Sequence, residues 1–153
     1  MTLEKFETVQ LNLTRLVRQV SIPRFHQRVL ARAGVEIDRV EAIALSRIVE
    51  AGSLRLSDLA DQLGVACSTA GRHAAHLEGR DLVTRSVDPS DGRAVMVEPT
   101  REGMRLVGHL RQAYRELLSE AMADWEPEEI ESLTALLGRL AGGLARLSVE
   151  VAV

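Results

Sequence analysis

The sequence predicts a mainly α chain with a small β-hairpin, and three observations carry that prediction. Apolar residues recur at steps of three and four along most of the 153 residues, the spacing of one helix face. Within residues 57–83, two short helical patterns meet at a tight turn marked by Gly64. Strict alternation from Leu82 to Val87 then runs into Asp88-Pro89-Ser90-Asp91-Gly92, dense turn chemistry, and a returning strand from Arg93 to Pro99. Two helices at a sharp turn followed at once by a hairpin make a winged helix-turn-helix. The remaining N- and C-terminal helices are expected to form a dimerisation region around that lobe.

Composition bounds the reading. A chain of 153 residues, 46% apolar and 27% charged, makes one ordinary globular domain over residues 1–153. Aromatics at 3% argue against bases or sugars stacked on an aromatic platform. No apolar run approaches the ~20 residues of a membrane span, and MTLEKFETVQ is no signal peptide. The expectation is a cytoplasmic protein without a membrane partner. A single cysteine, Cys67, rules out an internal disulfide. The net charge of −3 argues against a non-specific nucleic-acid coat. Residues 56–105 hold six Lys and Arg against eight Asp and Glu. Any nucleic-acid reading therefore rests on where the charges point.

In chain order, Phe6, Val9, Leu13, Leu16 and Val20 form a coiled-coil-like seam. Pro23 interrupts it, because proline lacks an N–H and crowds the preceding turn. A second helical piece from about Arg24 to Ala33 ends at Gly34. The next helix covers residues 38–51, with Asp38 as its cap and Val40, Ile43, Ala44 and Ile48 on its buried side. Ser53 to Leu56 is an extended link. Leu56, Leu59 and Leu63 then share a helix face that Ser57 is placed to cap. Gly64 stops this helix, since glycine takes positive φ at no steric cost, and Val65 points into the turn.

The second helix of the motif, about residues 68–80, restarts at Ser68 or Thr69, with Ala70, Ala74 and Leu77 inward. Its outer face carries Thr69, Arg72, His73 and His76; all can hydrogen-bond and none is acidic. Such a helix suits the DNA major groove, where Arg72 would reach guanine O6 and N7 and Ser68 and Thr69 would meet phosphate or base edges. Gly71 would let the backbone come close. The bland alternative is an ordinary helical hairpin in an all-α core. In the wing, residues 82–99, Arg93 lies just past the apex, placed for the negative potential of the minor groove. Asp91 would hold Arg93 through a carboxylate–guanidinium pair; a solvated hairpin with an incidental arginine is the alternative.

Thr100 is placed to cap a long helix from about Arg101 to Ala123, along which Leu106, Leu110, Leu117 and Ala121 recur. Pro127 takes the first position of the last helix, where its missing N–H is harmless, and Glu128 and Glu129 suit the positive end of the dipole. Ile130, Leu133, Leu137, Leu140, Leu144 and Leu147 follow at steps of three and four, with Gly138, Gly142 and Gly143 permitting close helix approach. Apolar seams at both ends are most economically covered by a second copy of the chain, with a monomeric bundle as the alternative. A two-fold dimer would present two groove-reading helices about 10 bp apart and read a palindrome.

The run LSDLADQLGVACSTAGRHAAHLEGRDLVTRSVDPSDGRAVMVEPTREG resembles the MarR family of bacterial winged-helix regulators. The match is sharpest at Asp88-Pro89-x-Asp91-x-Arg93 and at Thr100-x-x-Gly103. The resemblance implies a lobe over residues 38–103 and dimerisation helices over 1–34 and 104–153. It implies a homodimer that binds a palindromic DNA operator, usually as a repressor, released by a small aromatic or phenolic effector or by oxidation. Three positions depart from the pattern: Pro99 stands where the family usually has Leu, Gly92 where it often has a second Arg, and Pro23 in a helix that is often continuous. Loss of the second wing cation would weaken DNA binding or raise its salt sensitivity.

Cys67 opens the recognition helix, where oxidation would act directly on DNA contact, but a small turn residue is the expected role. His73 and His76 have a spacing metal ligands can use, yet no carboxylate or cysteine completes a site in the sequence, so DNA contact is expected and neither a metal nor a cofactor. For the effector, Phe25, His26 and Arg28 offer a ring, a donor and a cation together; an ordinary helix surface is the competing reading. No nucleophile–base pair, phosphate-binding glycine loop or metal triad points to an enzyme. A winged-helix module that binds protein instead of DNA is the main alternative, favoured by the acidic middle segment and opposed by Arg72 and Arg93.

Overall fold

The computed structural model of the chain describes residues 3–150. Its order is α1 (Leu3–Ser21), α2 (Pro23–Ala33), α3 (Arg39–Ala51), β1 (Leu54–Arg55), α4 (Leu56–Leu63), α5 (Cys67–Gly79), β2 (Val83–Asp88), β3 (Asp91–Pro99), α6 (Arg101–Ala121) and α7 (Pro127–Glu150). No helix among the described residues is long and apolar enough to cross a membrane. The chain divides into two compact units, residues 1–115 and 116–153.

In the first unit, Pro23 splits the N-terminal helical pattern as its chemistry requires: α1 ends at Ser21 and Pro23 becomes the first residue of α2. Asp38 caps α3, its Oδ1 accepting the Glu41 N–H at 2.9 Å. The buried face of α3 is shifted from the one expected. Val40 is 39% exposed, whereas Glu41, Ala44, Leu45 and Ile48 point inward. The cap sets the phase of the helix and so turns Val40 to solvent.

The helix-turn-helix forms as expected, with one change of boundary. α4 begins at Leu56, so Ser57 lies inside its first turn and caps nothing; Arg55 holds the cap position without a side-chain bond. Gly64 adopts φ 65°. Its N–H and that of Val65 reach back to Asp61 O and Ala60 O at 3.1 Å each, which closes α4 and turns the chain. On α5, Ala70, Ala74 and Leu77 are fully buried, packed with Leu45, Ile48 and Leu59 in the core of the lobe.

The hairpin gains a third strand. The link at Leu54–Arg55 pairs with β3, giving an antiparallel sheet of order β1-β3-β2 with Leu54 opposite Val97. β2 and β3 run from Val83 opposite Pro99 to Asp88 opposite Asp91, with an irregularity at Val87/Asp88. The turn is therefore only Pro89-Ser90, tighter than the five-residue stretch that reads as turn chemistry. Val83 and Val97 bury the inner face, and Val87 near the tip is exposed.

Thr100 locks the exit from the sheet. Its hydroxyl accepts the Gly103 N–H at 3.0 Å, capping α6, and donates to Asp81 O at 2.6 Å. A Cβ on Gly103 would collide with the backbone carbonyl of Leu82. The Thr-x-x-Gly spacing is thus the geometry that lets the start of α6 lie against the chain at Leu82, where it enters β2. In the second unit, α7 starts at Pro127, and Glu129 accepts the Glu126 N–H at 2.9 Å in front of it.

Candidate nucleic-acid interface

The outer face of α5 is presented by a helix whose inner face is entirely seated. Ala70 and Ala74 allow α5 to lie close to its neighbours, and Leu77 anchors its far end. The helix starts at Cys67, one residue before the expected restart, and neither Ser68 nor Thr69 caps it. Ser68 and Arg72 are exposed, and Thr69 is half-buried. The Arg72 guanidinium donates to Thr69 Oγ1 at 3.2 Å, so the threonine orients the arginine instead of standing apart from it. Gly71 faces inward: a Cβ there would make ordinary contact with Leu56 Cδ2 at 3.6 Å. Its small side serves the packing of α5 on α4, and the role expected for it, close approach of backbone to a groove, does not match this orientation.

The two histidines part company. His76 Nδ1 lies 2.7 Å from Glu41 Oε1, a contact that ties α5 to α3 across 35 positions of sequence. Its ring is engaged there, although most of the side chain remains in water. His73 is half-buried, and one ligand atom from each of Asp38, Glu41 and His73 lies within 4.8 Å of the others. The expectation that no carboxylate lies beside these imidazoles is therefore corrected: α3 brings two. Glu78, by contrast, turns away to pair with Arg85, accepting from its Nε at 2.8 Å. That bond, more than any other influence, holds the Glu78 carboxyl below its usual range.

At the wing, Arg93 is exposed just after the apex, but Asp91 does not grip its guanidinium. Asp91 Oδ1 accepts from the Arg93 backbone N–H at 3.1 Å, the local turn bond that aspartate makes two residues ahead. The organising carboxylate is Asp88. It is buried, its Oδ1 accepts from the Ser90 N–H at 2.8 Å and the Ser90 hydroxyl at 2.7 Å, and its Oδ2 pairs with Arg55 at 2.6 Å. The Ser90 hydroxyl first, then the Ser90 N–H, and more weakly Arg55 hold its carboxyl below the ordinary carboxylate range. In the sequence Asp88 reads as turn chemistry and as the first residue of the Asp88-Pro89-x-Asp91-x-Arg93 motif, with no partner named for it. The one available hint was the position of Arg55 in what becomes β1, and nothing local pairs the two.

A separate cavity of about 450 Å³ lies among α2, α3 and α6, lined by His26, Val29, Arg39, Ile43, Arg47 and Tyr114 among others. Of the three expected effector residues, His26 lines it. Phe25 packs edge-on against the Tyr114 ring at 5.2 Å and so supports the wall. Arg28 is exposed and is not part of the lining. The cations here are Arg39 and Arg47, which helical spacing from Pro23 could not bring into view. Burial, with the Arg39 charge adding to it, lowers the pKa of His26 and favours the neutral imidazole. Burial also raises the pKa of Tyr114, keeping its hydroxyl protonated.

The sequence model of the MarR family matches residues 37–95, the stretch from the end of the α2–α3 link through the wing tip. An uncharacterised HTH-type transcriptional regulator of Bacillus subtilis, YxaD, is 29% identical over 134 residues, 88% of this chain and 91% of that protein. Over this stretch the chain is similar to the MarR family. Its fold agrees along nearly the full length with the structure of a MarR family protein from Bacillus stearothermophilus, at TM-score 0.81, 19% identity, 95% of this chain and 99% of that one. A probable transcriptional regulator from Pseudomonas aeruginosa matches at TM-score 0.62 with 28% identity over 84% of this chain and 96% of that one. The matched stretch holds the helix-turn-helix and most of the three-stranded wing described above. Regulators of the family bind DNA, typically as dimers.

Proposed function

We propose that this chain is a ligand-responsive repressor that binds a palindromic operator as a homodimer. The observation that carries the reading is the outer face of α5: Arg72, exposed and oriented by Thr69 beside Ser68, on a helix whose other face is fully buried. Arg72 reads base edges, Ser68 and Thr69 meet phosphate or base edges, and His73 and His76 border the same face. Arg93 enters the minor groove, with the wing tip braced by Asp88 and the Asp91 turn. Two apolar seams support dimerisation. Phe6, Val9, Leu16 and Val17 on α1, and Leu136, Leu137, Leu140, Leu144 and Leu147 on α7, are exposed in the single chain. The helices outside residues 38–103 thus serve as the dimerisation region. A small aromatic or phenolic effector fits the cavity beside Tyr114, with Arg39 and Arg47 for an anionic group and a neutral His26 as hydrogen-bond partner.

Fluorescence anisotropy against DNA upstream of the protein's own gene, at fixed salt, tests the reading. Wild type should bind a palindrome tightly. Arg72→Ala should lose about 1–3 kcal/mol and relax sequence preference. Arg93→Ala should weaken binding at that site. Equal weakening of all sequences by Arg72→Ala would remove its base-reading role. Absence of any sequence-preferring binding by wild type, at low salt and under reducing conditions, would favour a module that binds protein through the acidic lobe.

A further inference from the structure

We propose that Asp38, Glu41 and His73 form a site for one divalent transition-metal cation of the zinc class, clamping α5 to the start of α3. The donors come from two helices, and their ligand atoms lie within 4.8 Å of one another. Two carboxylate oxygens and one imidazole are a donor set suited to such a cation, with a fourth position left for water.

The state of Glu41 points to a cation beyond mere proximity. The residue is 4% exposed. Among the described residues no Lys or Arg pairs with it; its partner is His76, on Oε1. Its second oxygen, Oε2, carries no hydrogen bond among the described residues. No buried side-chain oxygen among the described residues lacks a hydrogen-bond partner, so Oε2 keeps an opening to water; a dication entering there supplies positive charge beside a carboxylate that is otherwise largely buried. The sequence Asp38-x-x-Glu41 is that of a capping box, in which the glutamate would turn back to the Asp38 N–H. Glu41 instead bonds across to α5.

The surroundings suit a bound ion. Asp38, Thr69, Arg72, His73, Ala75 and His76 line one surface hollow, which gives a hydrated cation an entry path. Asp38 uses only Oδ1 for its cap, so Oδ2 is available. His76 on Glu41 Oε1 is the partner that orients a metal-binding carboxylate from behind. Arg72 faces the same hollow and is drawn to Thr69 Oγ1; a cation beside His73 would push its guanidinium away from α3. Occupancy would therefore fix both the seat of α5 and the direction of Arg72. Only this last consequence rests on the DNA-binding reading above.

Cobalt(II) titration of the tag-free, metal-stripped full chain tests the site. The wild type should take up one Co(II) per chain with visible d–d bands, lose them to added Zn(II), and show no thiolate-to-metal charge transfer. His73→Ala and Asp38→Ala, both at the surface end of the cluster, should abolish the bands, and Cys67→Ser should leave them unchanged. His76→Ala should weaken uptake by about 10–100-fold. No cobalt spectrum, or one that survives His73→Ala, overturns the proposal. These readouts contain no DNA, so failure of the operator reading would leave them standing. Anisotropy with and without Zn(II) then reads the effect on Arg72 separately.

Discussion

Helices α5 and α7 carry the same kind of apolar repeat and meet opposite fates. On α5, Ala70, Ala74 and Leu77 are fully buried, although two of the three are the smallest residues that can form such a face. On α7 a longer and more apolar seam lies open, with Leu137 42% and Leu147 60% exposed. Periodicity declares that a helix has an apolar face, but not that the same chain covers it. Where α3, α4 and the sheet surround α5, burial follows. Where a leucine seam stays in water, the apolar area left over calls for another surface, since each buried leucine is worth roughly 1.5–3 kcal/mol.

The contrast can be broken first at its strongest point. Leu77→Ala should cost about 2–5 kcal/mol in urea unfolding, because the lobe cannot collapse into the space left. Leu137→Lys should leave the circular dichroism of the helices in place and instead halve the mass seen by light scattering. An unchanged mass would sink the idea that α7 provides the dimer surface.

Next in size is the seam between sheet and α6. Gly103→Ala should cost about 1–3 kcal/mol, since the Leu82 carbonyl is backbone and has nowhere to go. A neutral outcome in thermal unfolding would mean that α6 can shift without loss. Smaller again, Thr100→Ala should cost about 1 kcal/mol through the lost α6 cap. Ser57→Ala, at a position that only looks like a cap, should stay within about 0.5 kcal/mol. Equal losses at the two sites would show that the assigned start of α4 is wrong.

The most local effect concerns the wing tip. The Asp88 carboxyl is held below its ordinary value, so its contribution is present above the unfolded-state value and lost as pH falls through the lowered one. The Ser90 amide proton, followed by NMR, should keep its bonded shift below the pH at which ordinary aspartates titrate. Asp88→Asn should remove that acid transition from the tip while leaving Leu77 and its neighbours unmoved. A Ser90 signal titrating near pH 4, the usual aspartate value, would contradict the described bonds.

Much of the fold was legible because its signals are local. The Asp38 cap, the break at Pro23, Gly64 at φ 65°, and Pro127 at a helix start each act within one turn of chain. The inward face of α5 was legible because Gly64 sets its beginning and three small or apolar residues follow in phase. The candidate site was legible only in part. Arg72 and Arg93 stand out by charge and position, but what steadies them does not. Thr69 is a neighbour of Arg72 and could be guessed; Asp88 braces the wing through Arg55, 33 positions earlier, and could not. Glu41 was hidden for a related reason, since a glutamate one residue past Val40 reads as solvent-facing until the phase of α3 is known.

By itself, then, the sequence determined the helices, the turns between them, the hairpin and the inward face of α5, though not the buried face of α3, because these depend on period, backbone freedom and caps within a few residues. Tertiary structure alone decided that the link at Leu54–Arg55 joins the sheet, that Arg39, Arg47 and Tyr114 share a cavity with His26, and that His76 and His73 face the carboxylates of α3. Polar partners carry no periodic signature. Their pairing is fixed only once packing of the apolar faces brings distant segments together and excludes the water that would otherwise satisfy them.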